Sequence, residues 1–345
     1  MKSKAAIITE INKPLTVDTV SIELPLEYGQ VIVKVLVSGL CGAQLQEIAG
    51  LKNNAKFMPH LTGHEGCGEV VDIGPGVKNV KVGQKVVMHW RKGNGIDANF
   101  PKYYWNNKYI GGGAVNTLCE YAVVSENRLT AINNNVPNDI CALLGCGMST
   151  AFGVINNDAK VKFGEKVLII GCGGVGLNLI VGAKLASAGS IIGVDKGMQK
   201  QSLVESLGAQ YMPSYVFDLL TADINCIIDT TGSLELVSQY IPFLAGDGRV
   251  IIVSQPKINS SLIITNPSNF FAGEGQQIIT TQGGKIKPST DIIKYANLHK
   301  SYNLHTNIVV THRFMLDQIN DAIDIMKCGQ SGRIMIDINQ KLNNI

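Results

Sequence analysis

Three residues able to bind a soft or borderline metal stand in glycine-rich surroundings: Cys41 in Leu40-Cys41-Gly42, His64 in Gly63-His64-Glu65-Gly66, and Cys146 in Gly145-Cys146-Gly147. Two thiolates and an imidazole, with a fourth position left to water or a substrate oxygen, form a ligand set of catalytic zinc. The three are far apart in sequence and make no local metal motif, so by spacing alone two packed core thiols and a hydrogen-bonded histidine are the readier reading. A second stretch that carries chemistry is KVLIIGCGGVGLNLIVGAKLASAGSIIGVD, from Lys166 to Asp195. An apolar run leads into Gly171-Cys172-Gly173-Gly174-Val175-Gly176, then small and apolar residues at helical spacing, then a second apolar run ending at Asp195-Lys196. Read as strand, turn, helix and strand, it gives each glycine a task. Gly171 allows the tight turn, Gly173 lets the backbone approach a pyrophosphate, and Gly176 lets the helix pack on its strand. The first N–H groups of the helix, around Gly174 and Val175, then face phosphate. Asp195 would accept hydrogen bonds from both ribose hydroxyls and repel a 2′-phosphate, so NAD is expected rather than NADP.

These residues need a scaffold, and 345 residues suit two domains. With 45% hydrophobic and 17% charged residues the composition is that of a cored globular protein. A net charge of +3 without a Lys/Arg block argues against a nucleic-acid partner. No apolar run reaches the roughly 18 to 20 residues needed to span a bilayer, and Met1-Lys2-Ser3-Lys4 runs into a strand-like segment, so no membrane partner and a cytoplasmic location are expected. Eight scattered cysteines suggest reduced thiols rather than a disulfide framework. Up to about residue 147, β-branched runs such as Val31 to Val37, punctuated by glycine, predict a barrel-like or bent antiparallel sheet. Asn106-Asn107 marks a hairpin turn between Lys102 and Ile110. Past Thr150, apolar runs at 166–170, 191–195, 224–229 and 249–253 alternate with helical intervals, as in a parallel sheet buried on both faces. From about 285 that pattern ends; a helix at 317–328 capped by Asp317 and a strand from Arg333 to Ile338 are expected to return to the first domain. The expected division is therefore 1–147 with 285–345, and 148–284 as the dinucleotide-binding domain.

SGLCG at 38–42, GHEGCGEV at 63–70, LLGCGMSTAFG at 143–153, the glycine loop after it and SGRIMIDI at 331–338 give the chain a further character. Over nearly its whole length it resembles the medium-chain zinc-dependent alcohol dehydrogenase family. The fold this implies is α/β: a GroES-like β-rich catalytic domain interrupted by a Rossmann doubly wound parallel sheet. By the same resemblance Cys41, His64 and Cys146 hold a catalytic zinc, and Glu65 is a carboxylate able to approach it. Trp90 falls at a substrate-pocket position, Thr150 near the nicotinamide, and Arg333 at the NAD pyrophosphate. The implied activity is hydride transfer between NAD and a small-molecule alcohol, with a polyol or sugar derivative as the guess at substrate. Zinc as Lewis acid would lower the alcohol's pKa towards neutral. Relatives of this kind assemble as homodimers or homotetramers through Rossmann sheet edges, and the segment from Leu262 to Phe271 suits that.

Two departures stand out. Residues 89 to 118 hold no cysteine, so the second, structural zinc of many relatives is not expected, and the aromatic hairpin around Tyr103 to Tyr109 is expected in place of its lobe. Where the family has Ser or Thr followed by Asp, this chain has Ala43 and Gln44. Alanine cannot relay the alcohol proton, nor can Gln46. Gln44 is expected to accept a hydrogen bond from His64 through its amide oxygen. Water, His89 or a substrate hydroxyl could stand in for the relay; the alternative for His89 is a hydrogen-bonded residue at a strand end. The missing hydroxyl keeps two other readings open, a redox-neutral enzyme using zinc and tightly bound NAD, and a non-catalytic NAD-binding protein.

Overall fold

Cys41 ends the segment that organises the first half of the chain. The run from Val31 to Val37 lies inside the strand Gln30–Leu40, nearly every residue of which is buried. A strand covered on both faces can be apolar throughout instead of alternating. Such cover is what the computed structural model shows; it describes residues 1–338 apart from 53, 54, 219, 266, 272–274, 303 and 305. The chain divides into two units, one of Met1–Cys146, Lys287–Thr306 and Val310–Ile345, the other of Gly147–Ile286 and Asn307–Val309.

In the first unit Gln30–Leu40 pairs antiparallel with Glu65–Ile73 along most of its length. Its first half also takes Tyr121–Ser125, and its last four residues take Arg333–Asp337. The sheet continues through Lys85–His89 and Leu129–Ala131 on one side and Val310–Met315 on the other. Lys2–Ile8, Thr16–Ile22, Lys102–Trp105, Lys108–Gly111 and His60–Leu61 close a small barrel. Asn106 and Asn107 have φ of 46° and 58°, the left-handed pair that a two-residue hairpin turn requires. That hairpin belongs to the barrel. The segment between His89 and Lys102 is tied down by Glu126 and Asn127. Glu126 accepts from the backbone N–H of Lys78, Asn79 and Ile96 at 2.6, 2.8 and 2.7 Å, and Asn127 donates to Asp97 at 3.0 Å.

The second unit is a six-stranded parallel sheet. Numbered by appearance, Lys166–Ile170, Ser190–Asp195, Gln210–Pro213, Ile224–Asp229, Leu244–Ile252 and Gln277–Thr280 lie in the order 3-2-1-4-5-6, the doubly wound dinucleotide-binding arrangement. The two edge strands, Gln210–Pro213 and Gln277–Thr280, were not expected; each is four residues long and lacks a sustained apolar run. In the segment proposed as an oligomer edge, Leu262, Ile264 and Phe270 pack on this unit's core, while Ile263 is exposed. In the first unit the helix Pro288–Tyr302 is additional to expectation, and the last helix spans Ile319–Lys327, with Asp317 in a preceding 3₁₀ turn rather than at the N-cap. Among the described residues no single helix is long and apolar enough to cross a membrane.

Candidate active site

Two strand ends and a helix end bring the three metal-binding candidates together. Cys41 follows Gln30–Leu40 and opens the helix Gly42–Ile48, His64 precedes Glu65–Ile73, and Cys146 follows the helix Asn138–Leu144. One ligand atom from each lies within 4.8 Å of the other two. The donors are soft to borderline and close enough to share one ion, so the set fits zinc. Cys41 titrates well below an ordinary thiol because Cys146 donates a hydrogen bond to its sulfur; burial opposes this, and the charge of Arg333 and contact with His64 add to it. Cys146, as that donor, is pushed the other way. A thiolate at Cys41 is the protonation state a metal ligand needs.

Beneath the trio lies an ion pair. The guanidinium of Arg333 meets the Glu65 carboxylate, with 2% and 0% of the two side chains exposed. The register explains the meeting: Ile334 pairs with Leu40, so Arg333 falls opposite Cys41, next to the start of Glu65–Ile73. Burial raises the pKa of Glu65, against the attraction of Arg333. Burial also works against the charge of Arg333, yet Glu65, Cys41 and Cys146 together hold it above the usual guanidinium range. Gly39 makes room, since a Cβ there would overlap Glu65 Oε1. Arg333 was expected at a pyrophosphate; the structure places it buried against Glu65. Neither the pairing nor the need for Gly39 was anticipated, although the closeness of Gly39 to Cys41 was a usable signal.

Both ring nitrogens of His89 are engaged. Its Nδ1 lies 2.7 Å from the carbonyl of Arg91 and its Nε2 3.0 Å from Thr130 Oγ1. It is fully buried, and burial lowers its pKa to about 4. This is the strand-end residue of the alternative reading. Trp90 follows it, placed opposite His64 by the pairing of His89 with Glu65. Its carbonyl accepts from Arg128, and the Arg91 guanidinium lies 5.9 Å from its ring centroid. Ala43 is half-buried in the first turn of Gly42–Ile48. Gln44 differs from expectation: its oxygen accepts the backbone N–H of Cys41 at 3.0 Å, and it is the amide nitrogen that faces His64 Nδ1, at 2.5 Å.

In the second unit the glycine loop joins Lys166–Ile170 to the helix Gly174–Leu185. Gly171 has φ of 92°, Gly176 packs where a Cβ would strike the Gly171 carbonyl, and Gly173 faces open space, as close approach of a phosphate requires. Gly174 and Val175 form the first turn of that helix. Asp195 is aimed by the N–H groups of Cys172 and Gly197, at 2.8 and 3.1 Å. Lys196 is exposed, while Lys200 is buried beside Asp195, its pKa lowered by burial against the pull of that carboxylate. The Thr230 hydroxyl braces the loop by donating to the Gly171 carbonyl at 2.9 Å. Thr150 lies in the buried helix Gly147–Gly153 of this unit. Thr230 opens the loop Thr230-Thr231-Gly232-Ser233, which the sequence places after a strand at the carboxyl edge of the sheet, where nucleotides bind; Lys200 was passed over because a lysine does not by itself mark a nucleotide site.

Residues 27–134 match the family described as alcohol dehydrogenase GroES-like domain, and residues 174–297 that described as zinc-binding dehydrogenase. An S-(hydroxymethyl)glutathione dehydrogenase of Paracoccus denitrificans is 26% identical, with 97% of this chain and all of that protein covered. A crystal structure of an alcohol dehydrogenase zinc-binding domain protein from Burkholderia ambifaria superposes with a TM-score of 0.89 at 23% identity, covering 99% of this chain and 100% of that one. A structure described as a short chain alcohol dehydrogenase from E. coli CFT073 complexed with cofactor NADH superposes with a TM-score of 0.79 at 17% identity, covering 97% of this chain and 99% of that one.

Proposed function

We propose that this chain, which belongs to the medium-chain zinc-dependent alcohol dehydrogenase family, oxidises an alcohol with NAD through a proton path that does not use residue 43. It is a zinc-dependent, alcohol dehydrogenase-like oxidoreductase; the substrate and the proton path are the proposal. The observation that carries it is the convergence of Cys41, His64 and Cys146 within 4.8 Å. Zinc held by that trio supplies Lewis-acid polarisation of the alcohol oxygen. The surrounding residues decide where the proton goes. Ala43 and Gln46 cannot carry it, and His89 has both ring nitrogens engaged. Water and a neighbouring hydroxyl of the substrate remain, and the latter favours a polyol or sugar derivative over a simple alcohol.

The test is Ala43→Ser. Restoring a hydroxyl raises turnover of simple alcohols by roughly 10² or more, the usual scale of general acid–base help, and changes turnover of polyols much less. An equal effect on both classes, or none, refutes the substrate-hydroxyl path. The same absent hydroxyl also suits a second reading, redox-neutral chemistry with retained NAD. In that case NAD survives purification and no NADH accumulates with any alcohol.

A homodimer or homotetramer is part of the proposal. Among the described residues the edge strand Gln277–Thr280 is paired on one side only, with Leu244–Ile252, which leaves its other side to a second copy.

A further inference from the structure

We infer that Gln44 is mismatched to the metal-bound form of His64, so that loading the site breaks a hydrogen bond which holds the start of the helix Gly42–Ile48. This rests on the zinc reading of Cys41, His64 and Cys146. The Gln44 amide has one acceptor and one donating end, and the structure uses both: Oε1 takes the Cys41 N–H at 3.0 Å, and Nε2 lies 2.5 Å from His64 Nδ1. For Nε2–H to donate, Nδ1 must be bare, which puts the single proton of a neutral imidazole on the other ring nitrogen. With Nδ1 covered by Gln44, that other nitrogen, Nε2, is the one left for a metal, and a metal ligand must be unprotonated. Metal binding therefore moves the proton to Nδ1, where it confronts the NH₂ of Gln44.

Rotating the amide presents Oε1 to Nδ1–H but turns NH₂ towards the Cys41 N–H, leaving that helix N-terminal donor without its acceptor. Either orientation satisfies one neighbour and opposes the other. A carboxylate at 44 would accept from both. Gln44 is thus a positioning residue that works against the metal-bound tautomer and makes the metal more exchangeable.

The experiment measures zinc affinity by competition with a chelator on the full chain, at one pH, for the native protein, Gln44→Glu and Gln44→Met, with circular dichroism to verify folding. Gln44→Glu binds zinc roughly 10- to 100-fold tighter, the usual reach of a residue that orients a metal-bound histidine. Gln44→Met has no hydrogen bond to lose on loading, so it binds no weaker than the native chain and up to roughly tenfold tighter. In the native protein the Cys41 amide also exchanges hydrogen faster once zinc is bound. Weaker binding by Gln44→Met would show that the glutamine supports the ligand and would overturn the inference, as would equal affinities of the native chain and Gln44→Glu. Absence of zinc binding in all three would overturn both the inference and the zinc reading.

Discussion

His89 shows how much one residue's surroundings decide. From sequence it was a polar side chain beside a pocket residue, and a relay histidine was open to it. Full burial keeps it neutral, against the pull of its hydrogen bond to the Arg91 carbonyl. An unfolded histidine titrates near 6.5 and this one at about 4, so between those values the unfolded chain binds a proton that the native chain refuses. Stability is therefore unaffected above pH 6.5 and falls as pH drops from 6.5 to 4, by about 3 kcal/mol in all. Denaturant unfolding of chelator-treated protein across that range reads the effect. His89→Gln should flatten the curve whatever its absolute stability, and superimposable profiles would contradict the account. The metal ligands themselves were legible because their neighbours are distinctive in type and order. Gly39, the Glu65–Arg333 pair and the orientation of the Gln44 amide were not, since each depends on the relative placement of strands distant in sequence.

At the scale of elements, the strands that aim the cofactor groups could be read because they are buried on both faces and therefore apolar without interruption. The edge strands Gln210–Pro213 and Gln277–Thr280 escaped because an edge needs no such run. The helix Pro288–Tyr302 escaped because polar residues interrupt its apolar positions. The strand–turn–helix around Gly171 fixes Asp195 through Cys172 N–H and Gly197 N–H, so that carboxylate is preorganised for a ribose. Asp195→Ser removes charged hydrogen-bond acceptors and should raise the KM for NAD by roughly 10- to 100-fold, while the relative use of NADP rises. Initial-rate kinetics with both cofactors measure this, and an unchanged preference would show that Asp195 does not select the cofactor.

For the whole molecule, the change from glycine-punctuated β-runs to alternating strands and helices made a two-part chain legible, and the structure divides it after Cys146 and after Ile286. Assembly and metal count follow from the proposal. The segment 89–118 lacks cysteine, and its Ile96 and Asp97 are held by Glu126 and Asn127. Native mass spectrometry should show a dimer or tetramer carrying one zinc per chain; a monomer, or two tightly held zincs per chain, would contradict those parts. The central claim is alcohol oxidation that depends on the Cys41, His64 and Cys146 centre. Its most direct test is NADH formation across a panel of simple alcohols, polyols and sugar derivatives, by the native protein and Cys146→Ala, before chelation and after zinc is restored. The account predicts NADH from at least one member of the panel, lost on chelation, regained with zinc and absent throughout in Cys146→Ala. No NADH from the zinc-loaded native protein, or an undiminished rate in Cys146→Ala, would contradict it.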